Sequence, residues 1–257
     1  MKNSGITAKK RFGQNFLKDE SVLRKIIEAM PNNNNKIVEI GPGLGDLTRF
    51  LVNVKSVVAF EVDTDLCKKL DLRFKSEIQS KRLVLHCGDV LQSWHHRLVH
   101  EPYDLIANLP YYIATNIILR ALGDPMCENI LVMIQREVAN KFSANSGDSS
   151  FSALSILAQS AGSASVVIDV PPTAFEPVPK VQSSVLLIKK RATLEDEGFE
   201  EMLRVAFMQP RKTLLKNLSS KYEKDLLLDI FKSQNLLHNI RPHQMTAGDY
   251  HQLYKKL

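Results

Sequence analysis

Residues 108–112 read Asn-Leu-Pro-Tyr-Tyr and follow the apolar run Asp104-Leu105-Ile106-Ala107. An amide, a proline and two aromatics finish a buried strand badly, but they hold a flat polar object well. The Asn108 side-chain oxygen and the Leu109 backbone carbonyl are both acceptors. Pro110 restricts its own backbone and that of the residue before it, so both acceptors can point one way. Two acceptors side by side suit an exocyclic amino group with its two N–H donors, and Tyr111 offers a face on which a base stacks. The object is a nucleobase bearing an amine, adenine or cytosine. Accepting both N–H bonds favours a tetrahedral nitrogen, frees its lone pair and stabilises the positive charge that develops there. This is a pattern for alkylating an amine. Proximity supplies much of the rate, and no general base of perturbed pKa is required.

The alkyl donor has its own signal. Glu39 to Leu47 read EIGPGLGDL, with glycines at 41, 43 and 45. Such a turn lets a ligand approach the backbone, and the helix that follows starts with free N–H groups. A dinucleotide fingerprint would place its third glycine at position 46, which is Asp46. An acid is a poor neighbour for a pyrophosphate and a tolerable one for an amino group and a sulfonium. Glu61 follows Gly41 by 20 residues at the end of the next apolar run, where ribose hydroxyls need an acceptor. Asp89, in Cys-Gly-Asp-Val, ends the third run and can accept from an adenine amino group. Three strand ends then feed one crevice, and the set favours S-adenosylmethionine over a nicotinamide cofactor. A second aromatic, Phe175, lies in a loop stiffened by prolines 171, 172, 177 and 179. Stiffening lowers the entropy lost on ordering, and the expectation is a ring held out to complete a clamp on the base.

These residues need a scaffold. KIVEI, VKSVVAFEVD, RLVLHCGDV, YDLIANLPYY and ENILVMIQRE are short apolar runs with helical patterns between several of them. That alternation predicts βαβ units and a mostly parallel α/β sheet. SASVVIDV and SSVLLIKK are joined only by a proline-rich stretch and predict a terminal antiparallel pair. Asp19 is placed to cap a helix over Asp19–Met30, stopped by Pro31 and four asparagines. Residues 143–150, SANSGDSS, read as a polar, mobile loop. From about Thr193 only helical spacing remains, in GFEEMLRVAFMQPRKTLLKNLSS and EKDLLLDIFKSQNLL. The expected division is therefore a catalytic domain over residues 1–190 and a small helical domain over 191–257.

The 257 residues carry net charge +6, with 44% hydrophobic and 24% charged content, as in ordinary globular proteins. No apolar run reaches bilayer-spanning length, and the basic N-terminus has no apolar signal core. Residues 181–257 hold 13 Lys/Arg against 9 Asp/Glu, an electrostatic footprint suited to nucleic acid. The three cysteines, 67, 87 and 127, form no CxxC pair, so neither a disulfide framework nor a structural metal site is expected, and a reducing cytoplasm fits. His95 and His96 lie away from the strand ends, and Cys87 is expected to be small and buried. The default assembly is a monomer.

In order along the chain, KKRFGQNFL, EIGPGLGDLT, FEVD, GDV, NLPYYIAT, PPTAFEPVPKVQSS and QPRKTLLKNL resemble the motifs of the small-subunit ribosomal RNA adenine N6,N6-dimethyltransferases. The likeness covers nearly the whole chain. It implies a Rossmann-like class I methyltransferase fold with a seven-stranded sheet. It also implies dimethylation of two adjacent adenosines in a hairpin loop near the 3′ end of 16S rRNA, late in small-subunit assembly. By resemblance, Asn15 and Leu17 contact the methionine end of the cofactor and Gly41 lies beneath it. Glu61 binds the ribose, Asp89 the adenine, and Asn108 both cofactor and target amine, while Tyr111 and Phe175 sandwich the target base. Lys9, Lys10, Arg11, Lys180, Arg211, Lys212 and Lys216 are the expected phosphate contacts. One departure is Pro210, where the family often has an arginine. The competing readings are a 23S rRNA adenine methylase, a non-catalytic RNA-binding assembly factor and a nicotinamide oxidoreductase.

Overall fold

The computed structural model describes residues 15–194 and 196–257. Its strands are β1 (Phe16–Leu17), β2 (Lys36–Ile40), β3 (Val57–Glu61), β4 (Leu83–Cys87), β5 (Tyr103–Asn108), β6 (Cys127–Gln135), β7 (Gly162–Val170), β8 (Phe175–Glu176) and β9 (Ser183–Lys190). The first eight helices are α1 (Glu20–Glu28), α2 (Thr48–Val54), α3 (Thr64–Arg73), α4 (Lys75–Gln79), α5 (Val90–Ser93), α6 (Ala114–Gly123), α7 (Arg136–Ser143) and α8 (Ala153–Ala161). Four more follow: α9 (Glu197–Ala206), α10 (Leu214–Leu218), α11 (Lys224–Ser233) and α12 (Ala247–Tyr254).

Seven strands form one sheet in the order β4-β3-β2-β5-β6-β9-β7. The pairs β3–β4, β2–β3, β2–β5 and β5–β6 are parallel, and β9 runs antiparallel to β6. This is the α/β sheet the apolar runs predict. The burial patterns explain why those runs differ in texture. β2 and β5 are buried at nearly every position, because a central parallel strand is covered on both faces. β7, at the sheet edge, alternates between more and less exposed positions. Leu23 and Ile26 of α1 and Leu51 of α2 pack with Ile37, Ala59, Ile106 and Leu131 of the sheet, all at most 2% exposed. Each such Leu or Ile contributes about 1.5–3 kcal/mol by leaving water. Asp19 caps α1 as expected, accepting from the N–H groups of Ser21 and Val22.

The strand order places the site. The chain runs from β2 outward through β3 and β4, then returns to lay β5 on the other side of β2. At such a reversal the loops leaving neighbouring strands diverge, and a crevice opens at their carboxyl ends.

The chain packs as two compact units, residues 1–139 with 165–193, and residues 140–164 with 194–257. The helical unit therefore includes α8, whose sequence (Ala153–Ala161) lies well before the expected boundary. Within it, Phe199, Met202, Leu203, Leu214, Phe231 and Tyr250 are fully buried or nearly so. The long helical pattern after residue 197 is broken at Ala206 and resumes only at Leu214. Pro210 lies in the break. There Asn217 closes the loop: its Oδ1 accepts from Gln209 N–H at 3.2 Å and its Nδ2 donates to Gln209 O at 3.1 Å. The loop at 143–150 carries hydrogen bonds of its own. Asn145 N–H donates to Asp148 Oδ2, Asp148 N–H donates to Asn145 O, and Gly147 N–H donates to His243 O.

The cysteine expectation is corrected. Cys67 on α3 and Cys87 at the end of β4 form a disulfide with Cα atoms 6.1 Å apart. Cys87 is exposed, not buried, because β4 is an edge strand. Twenty residues separate the pair in sequence, so no short motif shows it. Cys127 stays free and buried.

Candidate active site

The carboxyl ends of β2, β3 and β5 enclose a cavity of about 270 Å³. Gly41, Gly43, Glu61, Asp89 and Asn108 line it, together with Asn15 and Leu17 of the N-terminal segment. The turn after β2 has φ of +72° at Gly41 and +63° at Gly43, backbone that side-chain-bearing residues rarely adopt. A Cβ on Gly41 would press on the Pro110 ring at 3.4 Å, so the glycine turn and the Asn-Leu-Pro turn are in contact. Gly45 does not line the cavity; it faces Phe74 and Leu70, and its place is in helix packing rather than at the ligand.

Glu61 is 4% exposed and bonded at both oxygens. Oε2 accepts from Gly43 N–H at 3.0 Å and Oε1 from Asp63 N–H at 2.9 Å. Burial pushes its pKa up, and these two N–H bonds oppose the push. A carboxylate has about four lone-pair positions, so two bonds orient it and leave capacity for two hydroxyls. Asp89 caps α5, its Oδ1 accepting from Leu91 N–H at 2.9 Å. Asn108 Nδ2 donates to the Asn15 backbone carbonyl at 3.2 Å. That bond assigns the amide and turns the oxygen away from Asn15. Leu109 donates its N–H to Met133 O at 3.1 Å, which locks the turn to β6. Tyr111 is partly buried and its hydroxyl lies 2.7 Å from Ser183 Oγ.

Several expectations shift. Phe175 is 3% exposed, pairs with Leu17 across the β1–β8 ladder and packs in the core. It does not line the cavity: β8, which carries it, is tied to β1, and the ring packs inward with the core. Asp46 lines the cavity but is neutralised, with Lys18 Nζ at 2.5 Å and Arg73 at 3.6 Å. Its charge therefore says less about the ligand than its position in the glycine turn implies. His95 and His96 are exposed beside the buried Trp94 and stand outside the cavity. Trp94 Nε1–H donates to the buried Asp124, which also accepts from Tyr103 and Leu98. Lys180, Arg211, Lys212 and Lys216 are exposed. Lys9, Lys10 and Arg11 lie outside the described residues.

Sequence reasoning missed Glu39. It lies in β2, is 1% exposed, lines the cavity floor, and accepts from Thr48 Oγ at 2.7 Å. An acid inside an apolar strand, nine residues before a threonine, was the available signal. Burial raises its pKa to about 8, with Thr48 opposing and Glu61 adding to the rise. Because the folded value lies above the unfolded one, the protonated acid favours folding. That stability is full below about pH 4.5 and is lost as pH rises through about 8. Wild-type stability is expected to fall by on the order of 5 kcal/mol across that window from this group alone. Glu39→Gln removes the slope, so urea unfolding at pH 8 should find the variant more stable than wild type. An unchanged pH profile in Glu39→Gln would contradict the burial argument.

The family model for ribosomal RNA adenine dimethylase matches residues 5–257. The chain is 67% identical over 250 residues to the ribosomal RNA small subunit methyltransferase A of Sulfurimonas denitrificans, covering 97% of this chain and 94% of that protein. Among solved structures, a dimethyladenosine transferase from Plasmodium falciparum superposes with TM-score 0.79 at 24% identity, covering 93% of this chain and 95% of that one. The 23S rRNA methyltransferase ErmE superposes with TM-score 0.71 at 24% identity, covering 95% and 99%. At that identity the two structures bear on the fold alone.

Proposed function

The chain belongs to the ribosomal RNA adenine dimethylase family, whose cofactor is S-adenosylmethionine, and from that premise we propose that it dimethylates N6 of two adjacent adenosines in a hairpin loop near the 3′ end of 16S rRNA, late in small-subunit assembly. The observation that carries this reading is the Asn-Leu-Pro-Tyr turn, held against the glycine turn and opening on one cavity with Glu61 and Asp89. The small-subunit name of the 67% identical relative favours 16S over 23S rRNA as substrate.

The fit to the cofactor rests on the cavity's own chemistry. Glu61, oriented by two N–H bonds, would hold the ribose hydroxyls, and Asp89 the adenine amine. Gly41 and Gly43 supply the positive-φ turn against which the cofactor would lie, and Asn15 and Leu17 would close over the methionine end. When bound, the cofactor supplies a methyl group on a sulfonium, an electrophile that needs no further activation. The chain's own contribution is then to the acceptor amine. The Asn108 oxygen and the Leu109 carbonyl accept its two N–H bonds, which localises the lone pair and stabilises the charge gained on nitrogen. Tyr111 holds the base by stacking. A base within a duplex cannot reach such a crevice, so the target lies in a loop or is flipped out.

RNA is positioned elsewhere. Within the helical unit, Arg211, Lys212, Lys216 and Arg241 line a second pocket of about 670 Å³. Arg241 joins the three expected cations through the backbone bond from Leu214 N–H to Ile240 O at 2.8 Å. These side chains would grip phosphates without reading sequence. Replacing Arg211, Lys212 and Lys216 together by alanine should weaken RNA binding and lower the salt slope by about three units at most, about one per lost contact. Fluorescence titration of small-subunit RNA at several salt concentrations checks this; an unchanged slope removes these residues from the interface.

The test of the whole reading is methyl transfer from labelled S-adenosylmethionine to immature small subunits, with nucleoside mass spectrometry. N6,N6-dimethyladenosine near the 3′ end of 16S rRNA is the expected result. Label appearing only on large-subunit RNA would overturn the substrate, and none on either RNA would overturn the enzymatic reading for an RNA-binding assembly factor.

A further inference from the structure

We propose that Ser183 is a positioning residue for base capture, acting by anchoring the far end of the Tyr111 ring. The inference rests on the reading above, in which Tyr111 stacks on the target adenine. Ser183 opens β9 and is fully buried, and its Oγ lies 2.7 Å from the Tyr111 hydroxyl. The two residues are 72 positions apart. β9 reaches Tyr111 because it pairs with β6, which in turn pairs with β5, the strand that ends at Asn108.

The anchor is rigid at both ends. Ser183 sits opposite Gln135 in the β6–β9 ladder, and Arg136 N–H donates to Gln182 O at 3.0 Å, so the start of β9 is fixed. The adjacent Ser184 is fully buried too and bonds a different partner, donating to Asp169 Oδ1 at 2.8 Å. At the other end, the turn carrying Tyr111 is fixed by the Leu109–Met133 backbone bond and by Ile113 N–H donating to Pro110 O at 3.2 Å. What this backbone leaves free is the direction and depth of the ring, set by its first side-chain torsion, and its rotation about its own long axis. A hydrogen bond at the hydroxyl, which lies on that axis, fixes the direction and depth. Burial raises the pKa of the Tyr111 phenol, with the Ser183 bond opposing, so the hydroxyl is neutral near neutral pH.

A stacking platform at the wrong depth still binds a base but delivers its amine off line. The consequence is a loss in the rate of transfer rather than in cofactor affinity. The second methylation, in which the amine already carries one methyl, tolerates misplacement least.

The experiment is a double-mutant cycle on Tyr111→Phe and Ser183→Ala, with Ser183→Thr as rescue and Tyr111→Ala as the control on the stacking reading. Single-turnover transfer to small subunits, S-adenosylmethionine affinity by calorimetry, melting temperature and the ratio of mono- to dimethyladenosine are measured. Tyr111→Phe and Ser183→Ala should each slow transfer roughly tenfold, the size of one lost hydrogen bond with its partner left unpaired. Each should raise the monomethyl fraction and leave cofactor affinity unchanged. The double variant should be no slower than the slower single, and Ser183→Thr should restore the rate. The proposal is overturned if Ser183→Ala transfers at the wild-type rate, if the two defects multiply, or if the loss follows melting temperature across the set. Wild-type transfer by Tyr111→Ala would overturn the stacking reading and the anchor with it. A slow Tyr111→Ala beside an unaffected Ser183→Ala would overturn the anchor alone.

Discussion

Asn108→Ala is expected to lower the rate of methyl transfer by about 10²–10³-fold, the range seen when one preorganised dipole is removed from a developing charge. The side chain has one job in the structure and a second in the proposed reaction. Its Nδ2 is committed to the Asn15 carbonyl, and this commitment aims its oxygen. Alanine removes the oxygen proposed to accept from the amine and also breaks the bond to Asn15. The second effect is small: one partly buried hydrogen bond of 3.2 Å contributes about 0.5–1.5 kcal/mol. The variant should therefore melt close to wild type, fold normally, and fail at the chemical step under single-turnover conditions with saturating cofactor. Transfer within threefold of wild type would remove Asn108 from the chemistry.

Glu61 has the second-largest expected effect, and the structure refines which substitution reads it. Glu61→Ala loses the charged acceptor for the ribose hydroxyls, a cost of roughly 1.5–3 kcal/mol in cofactor binding, or about 10- to 150-fold in Kd. It also strands the N–H groups of Gly43 and Asp63, which both donate to this carboxylate, so alanine destabilises the glycine turn itself. Glu61→Gln keeps one acceptor oxygen and removes the charge. Glutamine faces one of the two N–H donors with its own NH2, so it should weaken cofactor binding at a smaller cost in stability than alanine, which strands both donors. Burial holds the Glu61 pKa above that of an ordinary glutamate. The carboxylate, the form that accepts two hydroxyls, therefore becomes protonated earlier as pH falls. Calorimetry should show cofactor affinity falling on acidification in the wild type, with a flatter profile in Glu61→Gln. Equal affinity in wild type and Glu61→Gln would show that the ribose is held by something else.

Legibility differed between parts of the molecule for identifiable reasons. The strands KIVEI and YDLIAN could be read because a central strand of a parallel sheet is apolar on both faces. The helix at α1 could be read from its cap and its stop. The break between α9 and α10 was harder, since Leu203, Leu214 and Leu218 keep a helical spacing through a segment that is not helical. The closure there depends on the Asn217 amide folding back to Gln209. The inclusion of α8 with the C-terminal helices could not be read from order along the chain, because packing does not follow sequence.

At the site, local sequence pointed to some residues before any fold was known. Three glycines in a GxGxG turn, an acid at a strand end and an amide before Leu-Pro suggest a crevice, because each needs only a few neighbouring residues to define it. Tertiary structure decided everything that depends on an approach from elsewhere. It buried Phe175 in the core, paired Asp46 with Lys18, and joined Cys67 to Cys87. It raised the Glu39 pKa by enclosing it beside Glu61, and it brought Ser183 to the Tyr111 hydroxyl. Burial and electrostatics are sums over neighbours in space. A sequence determines which groups are available, and only the fold determines which of them are shielded from water, and by what.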